Sequence, residues 1–248
     1  LSNAYPDIES SSTLNFGSRK APTPNMIKRI FTVLKTKIFI QDEHNLVAVY
    51  NHYNIWMWHF LLLFTAARPV SEFPGFLKSF NLKRKIFMVS DKEIGGRHDY
   101  GRLIPLSPFV VEEIQKFLHF LDYFKLQIGP SYPEIQYQIQ LILVNKLPLL
   151  NIFHNEKWQT ISPSTVRNFT PELDLEHANW HRHAARAFLS NKISETEILA
   201  LFGHEQMQQE AAHPYSSLSI TQYSKISLIL EQMKDHFQIT GIELNALI

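Results

Sequence analysis

Residues 180–204 of the chain read WHRHAARAFLSNKISETEILALFGH. Within this stretch Ser194 and Glu197 have the spacing of a capping box, in which each side chain accepts a hydrogen bond from the other residue's main-chain N–H. Gly203 stands where a residue in the left-handed conformation ends a helix, because glycine adopts that conformation without a steric penalty. The pattern predicts a short helix over residues 195–202 that is sharply bounded at both ends.

Further helices are predicted from apolar residues that recur on one helical face and from the residues that cap or end each run. Pro69 cannot donate a main-chain hydrogen bond, so the helix before it is expected to end near Ala67. The apolar stretch 134–150 is ambiguous. The predicted helices cover Met26–Phe39, His44–Thr65, a long helix that begins at Ser107-Pro108, a short one that begins at Ser162-Pro163, and a last one from Ser219 to about His236.

Two short β-rich runs, 85–90 and 102–106, flank a turn-forming Gly95-Gly96 pair and predict a small antiparallel hairpin. The elements together indicate an α+β fold that is predominantly helical. Of the 248 residues, 45% are hydrophobic and 19% charged, as in a folded globular protein. The absence of cysteine excludes disulfides, thiolate zinc sites and cysteine nucleophiles. The longest apolar run, 55–67, is too short to cross a bilayer, so no membrane span is expected.

The net charge is only +1, but the basic residues are concentrated in two stretches. Residues 17–37 contain six basic and no acidic residues, and residues 78–102 contain seven basic and three acidic ones. Such stretches can bind phosphates, although an ordinary solvated surface has the same composition.

Four separate features hold side chains that could act on a phosphate group. Taken alone, each has a structural explanation: an arginine at a helix end can satisfy carbonyls, a hairpin lysine is solvated, and a tyrosine in phase with an apolar stripe belongs to the core. The features are Arg68 between Thr65 and Ser71-Glu72, Lys92 in the hairpin, Arg182-His183, and Phe202-Gly203-His204 followed by Tyr215 and Tyr223.

In order and spacing these features resemble the catalytic domain of the tyrosine recombinases, the phage-integrase family. Arg68 matches a family arginine that follows a helix end and precedes Ser-Glu. Lys92 matches a hairpin lysine that precedes a strand reading Arg-x-x-Pro-Leu, which here is 102–106. Arg182 lies 22 residues before His204, as the second family arginine lies before Leu-Gly-His. The resemblance covers roughly residues 26–235 and implies a mainly helical fold with a small three-stranded antiparallel sheet.

The resemblance implies a site-specific recombinase or integrase that cuts and rejoins duplex DNA through a 3′-phosphotyrosyl intermediate, with no metal or other cofactor. Arg68 and Arg182 would bind the scissile phosphate with help from His204, because a guanidinium offers paired donors and a permanent charge. Lys92 would protonate the departing 5′ oxygen. A tyrosine would attack the phosphorus and store the bond energy as an ester.

Two tyrosines compete for the role of nucleophile. Tyr223 is preferred because residues 218–223, LSITQY, resemble the family's Ser-Thr-Thr-x-x-Tyr helix start. Tyr215 is the alternative, because it lies 11 residues beyond His204, nearer the family's usual interval than the 19 residues to Tyr223.

The sequence departs from the family at three places. Ala66 replaces the helix-end glycine, and one extra residue precedes Ser71. Asn179 occupies the usual general-base histidine position, so His177, His181 or His183 would have to supply that base. An alternative frame takes His183 with Arg186 as the His-x-x-Arg motif, but it shortens the interval to His204 by four residues.

Six further basic residues are expected to contact DNA: Lys83, Arg84, Lys85, Arg97, Arg102 and Arg186. By resemblance the working assembly is a homo-tetramer on paired DNA sites, with a monomer possible without DNA. The expected location is the cytoplasm, on the nucleoid if the sequence comes from a bacterial or phage genome. Residues 1–25 are expected to be a tag scar and linker, 26–236 the catalytic domain, and 237–248 a tail able to pack on a neighbouring subunit.

Three other interpretations stay open. A type IB topoisomerase-like enzyme would nick and reseal DNA with the same residues without exchanging partners. A catalytically degenerate integrase would only bind DNA. The third is a metal cluster of His177, His181 and His183, although the spacing specifies no further ligand.

Overall fold

The computed structural model describes residues 21–39, 46–89, 101–173, 179–203 and 218–246. The protein is α+β and 62% helical, with a three-stranded antiparallel sheet and a separate two-stranded hairpin. The helices are α1 (Pro24–Phe39), α2 (Leu46–Thr65), α3 (Pro108–Ile128), α4 (Pro133–Leu143), α5 (Pro163–Phe169), α6 (Trp180–Leu189), α7 (Glu195–Phe202) and α8 (Ile220–His236). The strands are β1 (Phe80–Asn81), β2 (Ile86–Val89), β3 (Arg102–Pro105), β4 (Asn151–His154) and β5 (Lys157–Thr160).

Helix α2 forms the centre of the core. Every residue from Tyr53 to Thr65 is buried, and α1, α3, α6 and β4 pack around it. Residues 55–64 read IWMWHFLLLF, and a helix with almost no polar face is typical of one enclosed on all sides. The sequence predicted one buried face on this helix, whereas the structure buries all of them because α6 and β4 cover the remainder.

The three-stranded sheet has the order β1-β2-β3, with β2 and β3 joined as the predicted antiparallel hairpin. Met88 pairs with Leu103, and Phe87 pairs with Ile104. The buried side chains of Phe87 and Ile104 face the core. Strand β3 lies at the edge of the sheet, where α7 and α8 pack against it.

The predicted helix caps are confirmed. Ser107 accepts the N–H of Val110 at 3.3 Å and begins α3. Helices α7 and α8 both begin with a complete capping box, at Ser194 and Ser219. Gly203 ends α7 in the left-handed conformation with φ of 63°.

Helix α4 and the β4–β5 hairpin were not predicted. The hairpin turn at Asn155-Glu156 has positive φ at both residues and contains no glycine. Two asparagines of α2 hold the hairpin: Asn51 exchanges two hydrogen bonds with the main chain of Phe153, and Asn54 accepts the N–H of Asn151. Strand and core are therefore joined by side chains about one hundred residues away in sequence.

The segment that follows α8 packs on its own chain. Ile239 and Ile242 are buried. The Ile242 N–H donates to the buried carboxylate of Glu113 on α3 at 2.9 Å, and Lys35 of α1 donates to the Gly241 carbonyl at 2.8 Å. The expected packing on a neighbouring subunit stays a prediction, and it would require these intrachain contacts to be exchanged. None of the described helices is both long and apolar enough to span a membrane.

Candidate active site at the carboxyl end of α7

The last four carbonyls of a helix have no partner within the helix. In α7 all four are satisfied. The Gly203 N–H donates to the carbonyls of Leu199 and Ala200. The next two carbonyls, those of Leu201 and Phe202, accept from arginine side chains that belong to other elements. This helix end is therefore a meeting point of separate segments of the chain.

Arg182 is one of the two arginines at this helix end. It lies in the first turn of α6, and it is only 7% exposed. Its Nη2 donates to the Phe202 carbonyl at 3.0 Å, and its Nη1 donates to the Ala66 carbonyl. The guanidinium also lies 4.9 Å from the centre of the Phe202 ring. Arg182 thus joins the end of α7 to the end of α2.

Arg68 lies in the same region, because Ala66 immediately follows α2 and Arg68 comes two residues later. Ala66 has φ of 49°, the left-handed conformation that favours glycine, which fits its place at a helix end. Arg68 is half-buried. The structure therefore brings the Arg182 guanidinium to the segment that carries Arg68, although 114 residues separate the two in sequence.

Arg102 of β3 is the second arginine at this helix end. Its Nε donates to the Leu201 carbonyl at 2.9 Å, and the residue is 7% exposed. Arg102 was predicted to contact DNA. The structure instead directs its side chain into the protein, because the carbonyls at the end of α7 need donors.

Tyr223, the preferred nucleophile, lies in the second turn of α8 and is half-buried. Its hydroxyl donates to the Leu103 carbonyl at 3.1 Å. One helical turn later, the buried Ser227 donates to the Leu106 carbonyl at 2.8 Å. Edge strands leave outer carbonyls without a strand partner, and these two hydroxyls satisfy carbonyls of β3 and the residue just after it. Tyr223 therefore fastens α8 to the same strand that carries Arg102.

Several predicted residues lie away from this helix end. Lys83, Arg84 and Lys85 are exposed at the turn between β1 and β2. Arg186 is half-exposed and forms an ion pair with Glu195 at the surface. Lys92, Arg97, His204, Tyr215 and His177 lie outside the described residues.

The candidate base and metal ligands on α6 point in different directions. His181 is buried, and its Nε2 lies 2.8 Å from Nδ1 of His59, a residue that the sequence analysis missed. Burial lowers the pKa of His59 to about 3, so this imidazole is neutral at pH 7. His183 is half-exposed. Across the described ranges, no group of three or more His, Asp or Glu side chains is arranged to hold a metal ion.

Asn179 marks the start of α6. Its carbonyl accepts the main-chain N–H of Arg182 at 3.0 Å, and its side chain caps no N–H of the helix. An amide side chain has no basic nitrogen, so this residue cannot act as a general base.

The sequence did not predict two contributors to this region. Arg102 was not expected to cap the end of α7, and the Ser227 hydroxyl was not expected to bind the Leu106 carbonyl just after β3. Ser227 follows Tyr223 by four residues, so the two side chains share one face of α8. That spacing was the available signal.

No protein-family model matches the chain, and a search of curated proteins finds no match.

Proposed function

We propose that this chain is the catalytic domain of a tyrosine-recombinase-like enzyme, which cuts and rejoins duplex DNA through a phosphotyrosyl ester. One observation carries the proposal: the Arg182 guanidinium is bound to the end of α2, two residues from Arg68, and to the end of α7, two residues before His204. Arg182 thus contacts the segment that carries Arg68 and the helix end that precedes His204 in sequence.

The proposed chemistry needs cations around a phosphate and no metal. Arg68 and Arg182 bind the two non-bridging oxygens, whose negative charge is greatest as phosphorus becomes five-coordinate. The phenolic oxygen forms a bond to phosphorus, and the bond from phosphorus to the 5′ oxygen breaks. Lys92 gives its proton to that 5′ oxygen, and the phenol loses its own proton to a base during attack. Religation runs the same steps in reverse.

The hydrogen bond of Tyr223 favours Tyr215 as the nucleophile. A main-chain carbonyl accepts a hydrogen bond but cannot take up the phenolic proton, so Tyr223 would have to leave Leu103 before it could attack. A tyrosine that holds α8 to β3 also has a structural reason to be present. We therefore assign Tyr223 to positioning and propose Tyr215 as the attacking residue.

The basic turn between β1 and β2 supports duplex DNA as the substrate. Lys83, Arg84 and Lys85 are consecutive and exposed, as phosphate-contacting side chains must be. Binding through such residues weakens as salt is added, because each phosphate contact releases counterions. Arg102 no longer belongs to this set, because its side chain is buried.

The test is capture of the covalent intermediate. Duplexes that the protein itself retains are enriched from a random pool by repeated binding at low salt. A set of substrates is then made from each duplex, and each substrate carries one nick at a different position. When cleavage occurs next to a nick, the short strand between them diffuses away, so religation is prevented and the ester accumulates. A labelled adduct should survive SDS electrophoresis with the wild-type protein and with Tyr223→Phe.

Tyr215→Phe and Arg182→Gln should abolish the adduct, and Tyr137→Phe, on the exposed face of α4, should leave it unchanged. If Tyr223→Phe forms no adduct and Tyr215→Phe still forms it, the nucleophile is Tyr223. If the protein still binds DNA but forms no adduct on any enriched duplex, the proposed cleavage activity is wrong. The result would favour a DNA-binding protein without cleavage activity.

A further inference from the structure

The two arginines at the end of α7 bind adjacent carbonyls from different elements. Arg102 reaches Leu201 from β3, and Arg182 reaches Phe202 from α6. Both cations lie at the negative end of the helix dipole, which stabilises positive charge. The acceptors are consecutive residues in one helical turn, so movement of one carbonyl also moves the other.

Gly203 allows Arg102 to approach this turn. A Cβ at residue 203 would lie 3.3 Å from both Cδ and Nη1 of Arg102, closer than ordinary van der Waals contact. The residue also has φ of 63°, which strains any residue with a side chain. The conformation and the space at Gly203 therefore both suit an arginine packed against the helix end.

Strand β3 fixes Arg102 in turn. Its residues pair with β2 in regular register, with Val89 opposite Arg102. Tyr223 and Ser227 of α8 hold the main chain of Leu103 and Leu106. The guanidinium of Arg102 thus extends from a strand that is held on both sides.

We propose that Arg102 is a positioning residue: it fixes the last turn of α7 so that the Phe202 carbonyl holds the Arg182 guanidinium in the orientation that binds phosphate. This role rests on the proposed function, because it concerns the phosphate ligand Arg182. It differs from the DNA contact expected from the sequence. Arg102 touches no reacting atom in this scheme and acts through the helix end.

The first experiment observes Arg182 directly and needs no DNA. Arginine side-chain Nε–H resonances are recorded by NMR on ¹⁵N-labelled protein and assigned with Arg182→Lys. Arg102→Met should shift the Arg182 resonance and increase its rate of hydrogen exchange, whereas Arg167→Met, an exposed arginine of α5, should do neither. An Arg182 resonance that is unchanged in folded Arg102→Met overturns the proposal.

The second experiment measures the consequence with inorganic phosphate as the probe. Arg102→Met should weaken phosphate binding about tenfold, the effect of losing one well-placed hydrogen bond. Arg102→Lys keeps a cationic donor and should recover part of the affinity. In an Arg182→Lys background, Arg102→Met should cause no further loss, because the two residues act in series.

The failure of each proposal has its own signature. If phosphate shifts no Arg182 resonance in the wild-type protein, the phosphate clamp itself is wrong, and with it the proposed function. If phosphate does shift Arg182 but Arg102→Met leaves the affinity unchanged, only the positioning role is wrong. Urea unfolding of each variant identifies any that is partly unfolded, and Arg102→Gln, which also removes the charge, then replaces Arg102→Met in both measurements.

Discussion

Replacing Tyr223 by phenylalanine separates a structural tyrosine from a nucleophile. The change removes one oxygen and keeps the ring, so it deletes the hydrogen bond to the Leu103 carbonyl. An intramolecular hydrogen bond contributes about 1 kcal/mol net, and the half-buried site lets water replace only part of it. We therefore expect Tyr223→Phe to lower the free energy of unfolding by about 1 kcal/mol.

Urea unfolding followed by tryptophan fluorescence measures this loss. For a chain of this size 1 kcal/mol corresponds to a fall of about 2–4 °C in Tm, which thermal unfolding resolves. Ser227→Ala removes the neighbouring bond to Leu106 and should cost about 1–2 kcal/mol, because that site is buried. Tyr137→Phe is the matched control, because Tyr137 is 62% exposed, and its stability should change by less than about 0.5 kcal/mol.

Equal stability of Tyr223→Phe and the wild type would contradict this expectation, since it would mean that β3 does not hold the hydroxyl. The assignment of Tyr223 to positioning would then lose its physical basis. If the predicted loss of stability is observed, the adduct assay then tests whether Tyr223 also has a catalytic role. A destabilised Tyr223→Phe that still forms the ester cannot owe its chemistry to residue 223.

Three further predictions concern stability. His59 is buried and neutral with its pKa lowered to about 3, so the unfolded chain binds more protons at this residue below about pH 6.5. The contribution of His59 to stability should therefore fall by roughly 2–3 kcal/mol from pH 7 to pH 4.5. In urea titrations the loss of stability over this range should be smaller in His59→Gln but unchanged in the exposed His119→Gln. Ser194→Ala breaks the capping box of α7 and should cost about 1 kcal/mol in the same assay. Deleting 238–248 removes two buried isoleucines and should cost about 3 kcal/mol or more by thermal unfolding; an unchanged Tm would show that this segment does not pack on its own chain.

The helix ends could be predicted because their signals lie within a few adjacent residues. Ser194 and Glu197 are three residues apart, and Gly203 directly follows the last helical residue. A cap depends on those neighbours alone, and the rest of the chain need not be known. The bounds of α7 and the start of α8 at Ser219 were predicted for this reason.

The β4–β5 hairpin could not be predicted because its support is distant. Its turn, Asn155-Glu156, lacks the glycine that commonly marks such turns, and its main chain is held by Asn51 and Asn54 of α2. Arg102 shows the same limit within the candidate site. Its neighbours in sequence form a basic hairpin and indicated an exposed position for its side chain. Its burial instead depends on the end of α7, about one hundred residues later.

Arg182 and Arg186 lie one turn apart on α6, and their partners differ in a way that bears on the proposed phosphate site. Arg186 pairs with the carboxylate of Glu195, which cancels its charge at the surface. The acceptors of Arg182 at Ala66 and Phe202 are carbonyls, which have no formal charge. These two bonds fix the plane of the guanidinium and do not themselves neutralise its charge. We therefore expect the frame that uses Arg182, and not the one that uses Arg186, to serve the proposed phosphate site.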